Sequence, residues 1–187
     1  MTSIQRAMLL TGAVVTMTAA LVLLSTTGLP NRAAFSGLGV DENDRSIAPE
    51  VDAVAPSFTQ ATLQGESIQL TDLRGSPVLI NFWATWCAPC RIEMPYLQML
   101  YDEYQGDGLR ILAVNMGESP EAVVRWVEEN ALTFDIVLDE ENRISDLYQL
   151  RGQPSTYVIG PEGVISEIFF GPVDEDTLRN AIAPYLS

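Results

Sequence analysis

The sequence predicts an α/β domain built on a mixed central sheet with helices on both faces. Three observations predict it. From about residue 55, strand-like and helix-like apolar patterns alternate along the chain. The stretch Pro77 to Trp83 is a near-continuous apolar run, as expected of a central strand buried on both faces. Two short strands joined by a turn close the chain, so the sheet combines parallel and antiparallel pairs.

The elements follow in order. Phe58 to Ala61 and Ser67 to Leu70 flank Gln64-Gly65 and read as an amino-terminal hairpin. After the central strand, Met94, Leu97, Leu100 and Tyr101 recur at helical spacing, so a helix starts just after Cys87 and runs to about Tyr104, where Gly106 and Gly108 end it. Leu109 to Met116 is the next strand. Ser119-Pro120 suits the cap and first turn of a helix whose stripe, Val123, Trp126 and Val127, reads as core. Phe134 to Leu138 gives another strand, followed by a short helix through Ile144, Leu147 and Tyr148. Thr156 to Ile159, a turn at Pro161-Glu162-Gly163, and Val164 to Phe169 make the closing pair. Asp174 caps a last helix carrying Leu178, Ile182 and Tyr185.

At 187 residues the chain holds one domain plus appendages. Between Arg6 and Arg32 it has no charged residue, and Ala7 to Leu29 is a 23-residue apolar stretch, long enough to cross a bilayer. Arg6 keeps the amino end cytoplasmic, so the rest of the chain lies outside. A cleaved signal peptide is the rival reading, with small residues near Thr26 to Gly28 and at Ala33-Ala34; the length of the run favours an uncleaved anchor. The expected organisation is a cytoplasmic stub at 1–6, a single transmembrane helix at 7–29, a flexible linker at 30–54 and a folded domain at 55–187. The linker reading rests on Gly, Pro, Ser and a charge cluster, Asp41 to Arg45, without apolar periodicity.

The formal charge is −15, and from Val51 onward seven arginines face 21 acids. Such a balance disfavours nucleic acid and anionic membrane surfaces as partners. It suits either a solvated acidic surface or attraction for basic protein substrates. With no histidine and no lysine, the imidazole and ammonium groups common in acid-base catalysis are absent.

Only two cysteines occur, Cys87 and Cys90, at the junction of the central strand and its helix. A structural zinc site would need four Cys or His ligands. A purely structural disulfide would gain little from closing so short a loop. Two buried inert thiols are the third bland reading. The favoured one is a redox pair: unpaired N–H groups and the helix dipole stabilise a thiolate at Cys87, while Cys90, a turn further in, resolves the mixed disulfide that forms there. Pro89 lacks an N–H and stiffens the loop, and Ala88 adds no charge; both tune the potential.

On Ala55 to Phe58, on Asn81 to Pro95 with its Trp86-Cys87-Ala88-Pro89-Cys90 centre, and on Gly152 to Ile159, the chain resembles the thioredoxin superfamily. Within it, the chain is similar to the TlpA/ResA-like membrane-anchored thiol-disulfide oxidoreductases, a group that includes cytochrome c maturation reductases. The resemblance implies a thioredoxin-like fold and assigns the Phe134 to Leu138 strand with its flanking helices to that group's central insertion. It places Pro154 at the superfamily's cis-proline, with Gln153 and Trp86 contacting substrate. It links Glu93, three residues after Cys90, to thiol proton transfer; an acid matching the helix dipole is the alternative. Pro95 matches a helix-kinking proline. Asn81 departs from ordinary thioredoxins, whose buried aspartate there accepts the resolving thiol's proton, so Glu93 or water takes that role.

The expected function is an extracytoplasmic reductase of protein disulfides on the bacterial cell membrane, apocytochrome c being a possible client. Its partners are a disulfide-bearing protein and a membrane electron donor, since disulfides are otherwise favoured in that compartment. The enzyme is expected to be a monomer that uses no metal and no cofactor beyond its redox-active disulfide. A disulfide donor and a non-catalytic client-binding module are the alternatives. A peroxidase would call for a Thr-x-x-Cys pattern, which the sequence lacks.

Overall fold

The computed structural model describes residues 38–186. Its elements are β1 (Thr59–Ala61), β2 (Ser67–Gln69), β3 (Val78–Trp83), α1 (Ala88–Tyr104), β4 (Arg110–Met116), α2 (Pro120–Glu129), β5 (Asp135–Asp139), α3 (Arg143–Leu147), β6 (Ser155–Ile159), β7 (Ile165–Phe170) and α4 (Glu175–Ile182). The central sheet has five strands in the order β5-β4-β3-β6-β7. β3 runs parallel to β4, β4 parallel to β5, and β3 and β7 each run antiparallel to β6. β1 and β2 form a separate antiparallel hairpin.

Every residue of β3 is buried, so the strand has no polar face, as its sequence requires. Its side chains alternate between two cores. Leu79 and Trp83 join Met94, Leu97 and Leu100 of α1, Val123 and Val127 of α2, and Leu178 and Ile182 of α4. Val78, Ile80 and Phe82 join Phe58 and Ile68 of the hairpin region, with Ile144 and Tyr148 at and just beyond α3. Each large side chain so buried contributes roughly 1.5 to 3 kcal/mol. Trp126 packs its ring against Trp83 at 4.9 Å, so the stripe on α2 is core.

Helix ends follow their sequence signals with one exception. Asp174 caps α4 by accepting from Thr177 N–H at 2.9 Å. Ser119 occupies the cap position of α2 without a side-chain bond to its backbone.

The anchor at 7–29 lies outside the described residues, and among those described no helix is long and apolar enough to cross a membrane. The linker at 30–54 is corrected over its second half, because the compact unit begins at Val40, ahead of the expected start at 55. Ala48, Ala53 and Val54 are buried. Asp52 N–H donates to the Ile165 carbonyl at 2.8 Å, and Ile165 N–H to the Ala53 carbonyl at 2.9 Å. The charge cluster is a turn in which Asp41 accepts from the Asn43 and Arg45 backbone and pairs with the Arg45 guanidinium. Backbone bridges hold this segment, so it carries no apolar periodicity for a sequence reading to detect.

Candidate active site

The carboxyl end of β3 delivers the chain into the turn Ala84 to Cys87, and α1 leaves from it. Cys87 is the N-cap of α1, with φ −78° and ψ 103°, and Pro89 falls in the first turn, where a missing N–H costs nothing. A disulfide joins Cys87 to Cys90, with Cα atoms 5.3 Å apart. Cys90 N–H donates to Cys87 Sγ at 3.3 Å. One of the helix's unpaired donors therefore points at this sulfur, the arrangement that stabilises a thiolate once the bond is reduced. Cys87 is 5% exposed and Cys90 is 0% exposed; the first sulfur is covered more than a freely exposed nucleophile would be, and the second is fully enclosed. Trp86 is 69% exposed beside them, and Ala88 and Pro89 are also in solvent.

The turn is fastened from β4. Glu118 accepts from Thr85 N–H at 2.7 Å, from Thr85 Oγ1 at 2.5 Å and from Asn115 Nδ2 at 2.8 Å. Gly117, with φ +67°, lets the chain reverse so that this carboxylate faces the turn.

Beneath the cysteines lies a buried polar cluster. Glu93 is 1% exposed, and its Oε1 accepts from Asn81 Nδ2 and from Thr156 Oγ1, both at 3.2 Å. Asn81 Nδ2 also donates to Thr156 Oγ1 at 2.9 Å. Glu93 Oε2 has no partner among the described residues. Burial pushes the carboxyl from 4.5 up to about 7, and the Thr156 hydroxyl offsets part of that rise. The helix-dipole reading of Glu93 does not hold, because the first turn of α1 contains no acid and Glu93 points inward one turn later. Asn81, which cannot titrate, donates to the Glu93 carboxyl, which can.

The third part is the loop before β6. The Gln153-Pro154 peptide is cis. The register pairs Phe82 with Ser155, which sets Pro154 beside the end of β3, at the same end of the sheet as the cysteines. Pro154 O accepts from Gly171 N–H at 2.9 Å, and Ser155 Oγ donates to Gly152 O at 2.9 Å. The N–H and carbonyl of Gln153 have no partner among the described residues. A backbone donor and acceptor are thus left open on a loop anchored on both sides.

Sequence reasoning reached both cysteines, Trp86, Ala88, Pro89, Glu93, Asn81, Gln153 and Pro154. It missed Thr156 and Glu118. Thr156 sits in Ser155-Thr156-Tyr157-Val158-Ile159, where a β-branched residue reads as an ordinary strand former; its position opposite Asn81 was the available signal. Glu118 lies in a Gly-Glu-Ser turn that reads as loop. Among the described residues, no three His, Cys, Asp or Glu side chains converge for a metal ion.

A cysteine pair capping a helix at the end of a buried strand, on this mixed sheet, defines a thioredoxin-fold protein thiol-disulfide oxidoreductase. The profile of the AhpC/TSA family matches residues 51–168. The chain is 39% identical to the thiol-disulfide oxidoreductase ResA of Geobacillus thermodenitrificans over 132 residues, 71% of this chain and 76% of that one. It is 41% identical to ResA of Oceanobacillus iheyensis over 150 residues, 76% of this chain and 78% of that one. The crystal structure of StoA from Bacillus subtilis superposes with a TM-score of 0.61 at 28% identity, covering 68% of this chain and 97% of StoA. The chain belongs to the AhpC/TSA family and to its ResA group of thiol-disulfide oxidoreductases.

Proposed function

We propose that this enzyme works as a monomer outside the bacterial cell membrane, tethered by the apolar segment 7–29, and reduces disulfides of protein substrates, with apocytochrome c as a client. In the first step the Cys87 thiolate attacks one sulfur of a substrate disulfide, forming a mixed disulfide and releasing the other substrate sulfur as thiolate. Cys90 loses its proton and attacks Cys87 Sγ; the Cys87–Cys90 bond forms and the second substrate sulfur leaves as thiolate. Two electrons pass to the substrate, and a membrane dithiol donor restores the pair. The observation that carries this reading is the Cys90 N–H held 3.3 Å from Cys87 Sγ at the cap of α1. It favours Cys87 as the attacking sulfur.

Glu93 is the proton acceptor for Cys90, with Asn81 and Thr156 holding its Oε1 and leaving Oε2 open. A carboxyl titrating at about 7 changes state near ordinary working pH, as a proton relay requires. The substrate chain lies extended against Gln153 and Pro154, bonding the free Gln153 backbone groups, with Trp86 covering the reacting sulfurs. The uncharged run between Arg6 and Arg32 supports the tether and the outward orientation.

The test of direction is the potential of the Cys87/Cys90 couple, by equilibration against glutathione or dithiothreitol. A reductase is expected nearer the about −270 mV of a reducing thioredoxin than the about −120 mV of a strong oxidant. A value at the oxidising end would make the enzyme a disulfide donor instead.

A further inference from the structure

The helix α1 is apolar on two faces. Cys90, Met94 and Leu97 point into the core, and on the opposite side Ala88, Ile92, Pro95 and Met99 recur at helical spacing. Ile92 is 65% exposed and Met99 45%, and half-buried Tyr96 widens the stripe on one flank. None of these outer residues belongs to either core. A helix with apolar side chains all round is ordinarily covered all round, so this band, about 16 Å long, is an unpartnered contact surface. Its charge sets it apart as well. From Val51 onward 21 acids oppose seven arginines, yet between Trp86 and Tyr101 the one carboxylate is that of buried Glu93. Arg91 is the only exposed charge in that stretch, and Asp102 and Glu103 mark its far end.

The stripe starts at the disulfide, where exposed Trp86 and Pro89 adjoin it. It lies on the outer side of α1, whereas the Gln153-Pro154 loop belongs to the sheet. Charge says which partner fits. Cytoplasmic loops of membrane proteins hold the excess of Lys and Arg, so their outward surfaces are poor in cations. An acidic domain finds no electrostatic complement on such a surface, and an acid-free apolar band with one arginine at its edge is the part of it that can approach. We propose that the outer stripe of α1, centred on Ile92, Pro95 and Met99 with Arg91 at its edge, is the docking surface for the membrane dithiol donor. The surface rests on the reading above that such a donor recharges the pair. Its complement is an apolar, cation-poor protein face beside a dithiol, with a carboxylate or a helix C-terminus to meet Arg91. Once docked, a donor thiolate attacks Cys87 Sγ, the less enclosed sulfur; the Cys87–Cys90 bond breaks, and Cys90 leaves as a thiolate and takes up a proton. The donor's second thiolate attacks the donor sulfur of the mixed disulfide and frees Cys87, so two electrons pass from donor to pair and the donor becomes the disulfide.

The test uses the full chain in intact bacterial cells that make it, with Ile92→Glu, Met99→Glu and Met99→Leu variants. Cells are oxidised briefly with diamide and washed, and recovery of the reduced Cys87/Cys90 pair is followed by acid quenching, thiol alkylation and gel shift. The unaltered enzyme and Met99→Leu should recover at the same rate, and each Glu variant at least about fivefold more slowly. Purified, all three variants should match the unaltered enzyme in reduction by dithiothreitol and, when pre-reduced, in reduction of a peptide disulfide. Photo-crosslinking from benzoylphenylalanine at position 99 in the same cells should give an adduct with another protein. Normal recovery of the Glu variants, an equal loss of rate against dithiothreitol or peptide, or adducts with a second copy alone or with no protein would overturn the docking surface and leave the oxidoreductase reading intact. An unaltered enzyme that never recovers in cells would overturn the donor reading and the surface together.

Discussion

Replacing Glu93 by Gln is expected to flatten one component of the pH dependence of stability, by an amount the structure supplies. The carboxyl titrates at 4.5 ordinarily and at about 7 in the fold, chiefly because it is buried. Each tenfold change in proton affinity is about 1.4 kcal/mol, so ionising Glu93 in the folded protein is more costly by about 3 kcal/mol. The folded state holds the proton more tightly than the unfolded chain. Its contribution is therefore fully present below pH 4.5 and is lost as pH rises through about 7. Glu93→Gln keeps a neutral side chain of the same shape and removes the titration. Urea unfolding of the oxidised protein at several pH values between about 4.5 and about 8 measures both chains. The unaltered enzyme should lose about 3 kcal/mol relative to the variant across that window. Parallel profiles would show that Glu93 ionises normally and would refute its role as a group poised near neutrality.

Three further outcomes follow from the same contacts. Thr156→Val removes a hydroxyl that holds Glu93's titration down. The pH midpoint of the stability loss should move upward, and stability should fall by about 1 kcal/mol, read in the same titration. Glu118→Ala leaves Thr85 N–H, Thr85 Oγ1 and Asn115 Nδ2 without their acceptor; it should cost about 2 kcal/mol in urea unfolding and slow peptide disulfide reduction by loosening the turn that carries Trp86. Removing residues 1–54 should lower the thermal midpoint by several degrees relative to removing 1–39, because it uncovers the Ile165 end of β7 and deletes buried Ala48, Ala53 and Val54.

Most of the fold was legible because its signals are local and agree with one another. The apolar run of β3, the Met94, Leu97 and Leu100 spacing of α1 and the Asp174 cap each have one physical reading. The ordered segment from Val40 was not legible, because backbone bridges hold it and apolar spacing does not reveal them. At the site, two cysteines at fixed spacing carry their chemistry in the sequence itself. The cluster around Glu93 does not, since Asn81, Glu93 and Thr156 come from three different elements and meet only when β3 and β6 pair. Asn81 read alone looks like a lost proton acceptor; placed against Glu93, it is the donor that holds one.

The central claim is that the cap of α1 makes Cys87 the attacking thiolate while Cys90 waits behind it. Alkylation of the reduced protein by iodoacetamide across a pH series, resolved for each cysteine by mass spectrometry, measures this directly. Cys87 should react first, with a midpoint clearly below the about 8.5 of free cysteine, and Cys90 should lag. A Cys87 midpoint at about 8.5, or modification of Cys90 at the same rate, would contradict it.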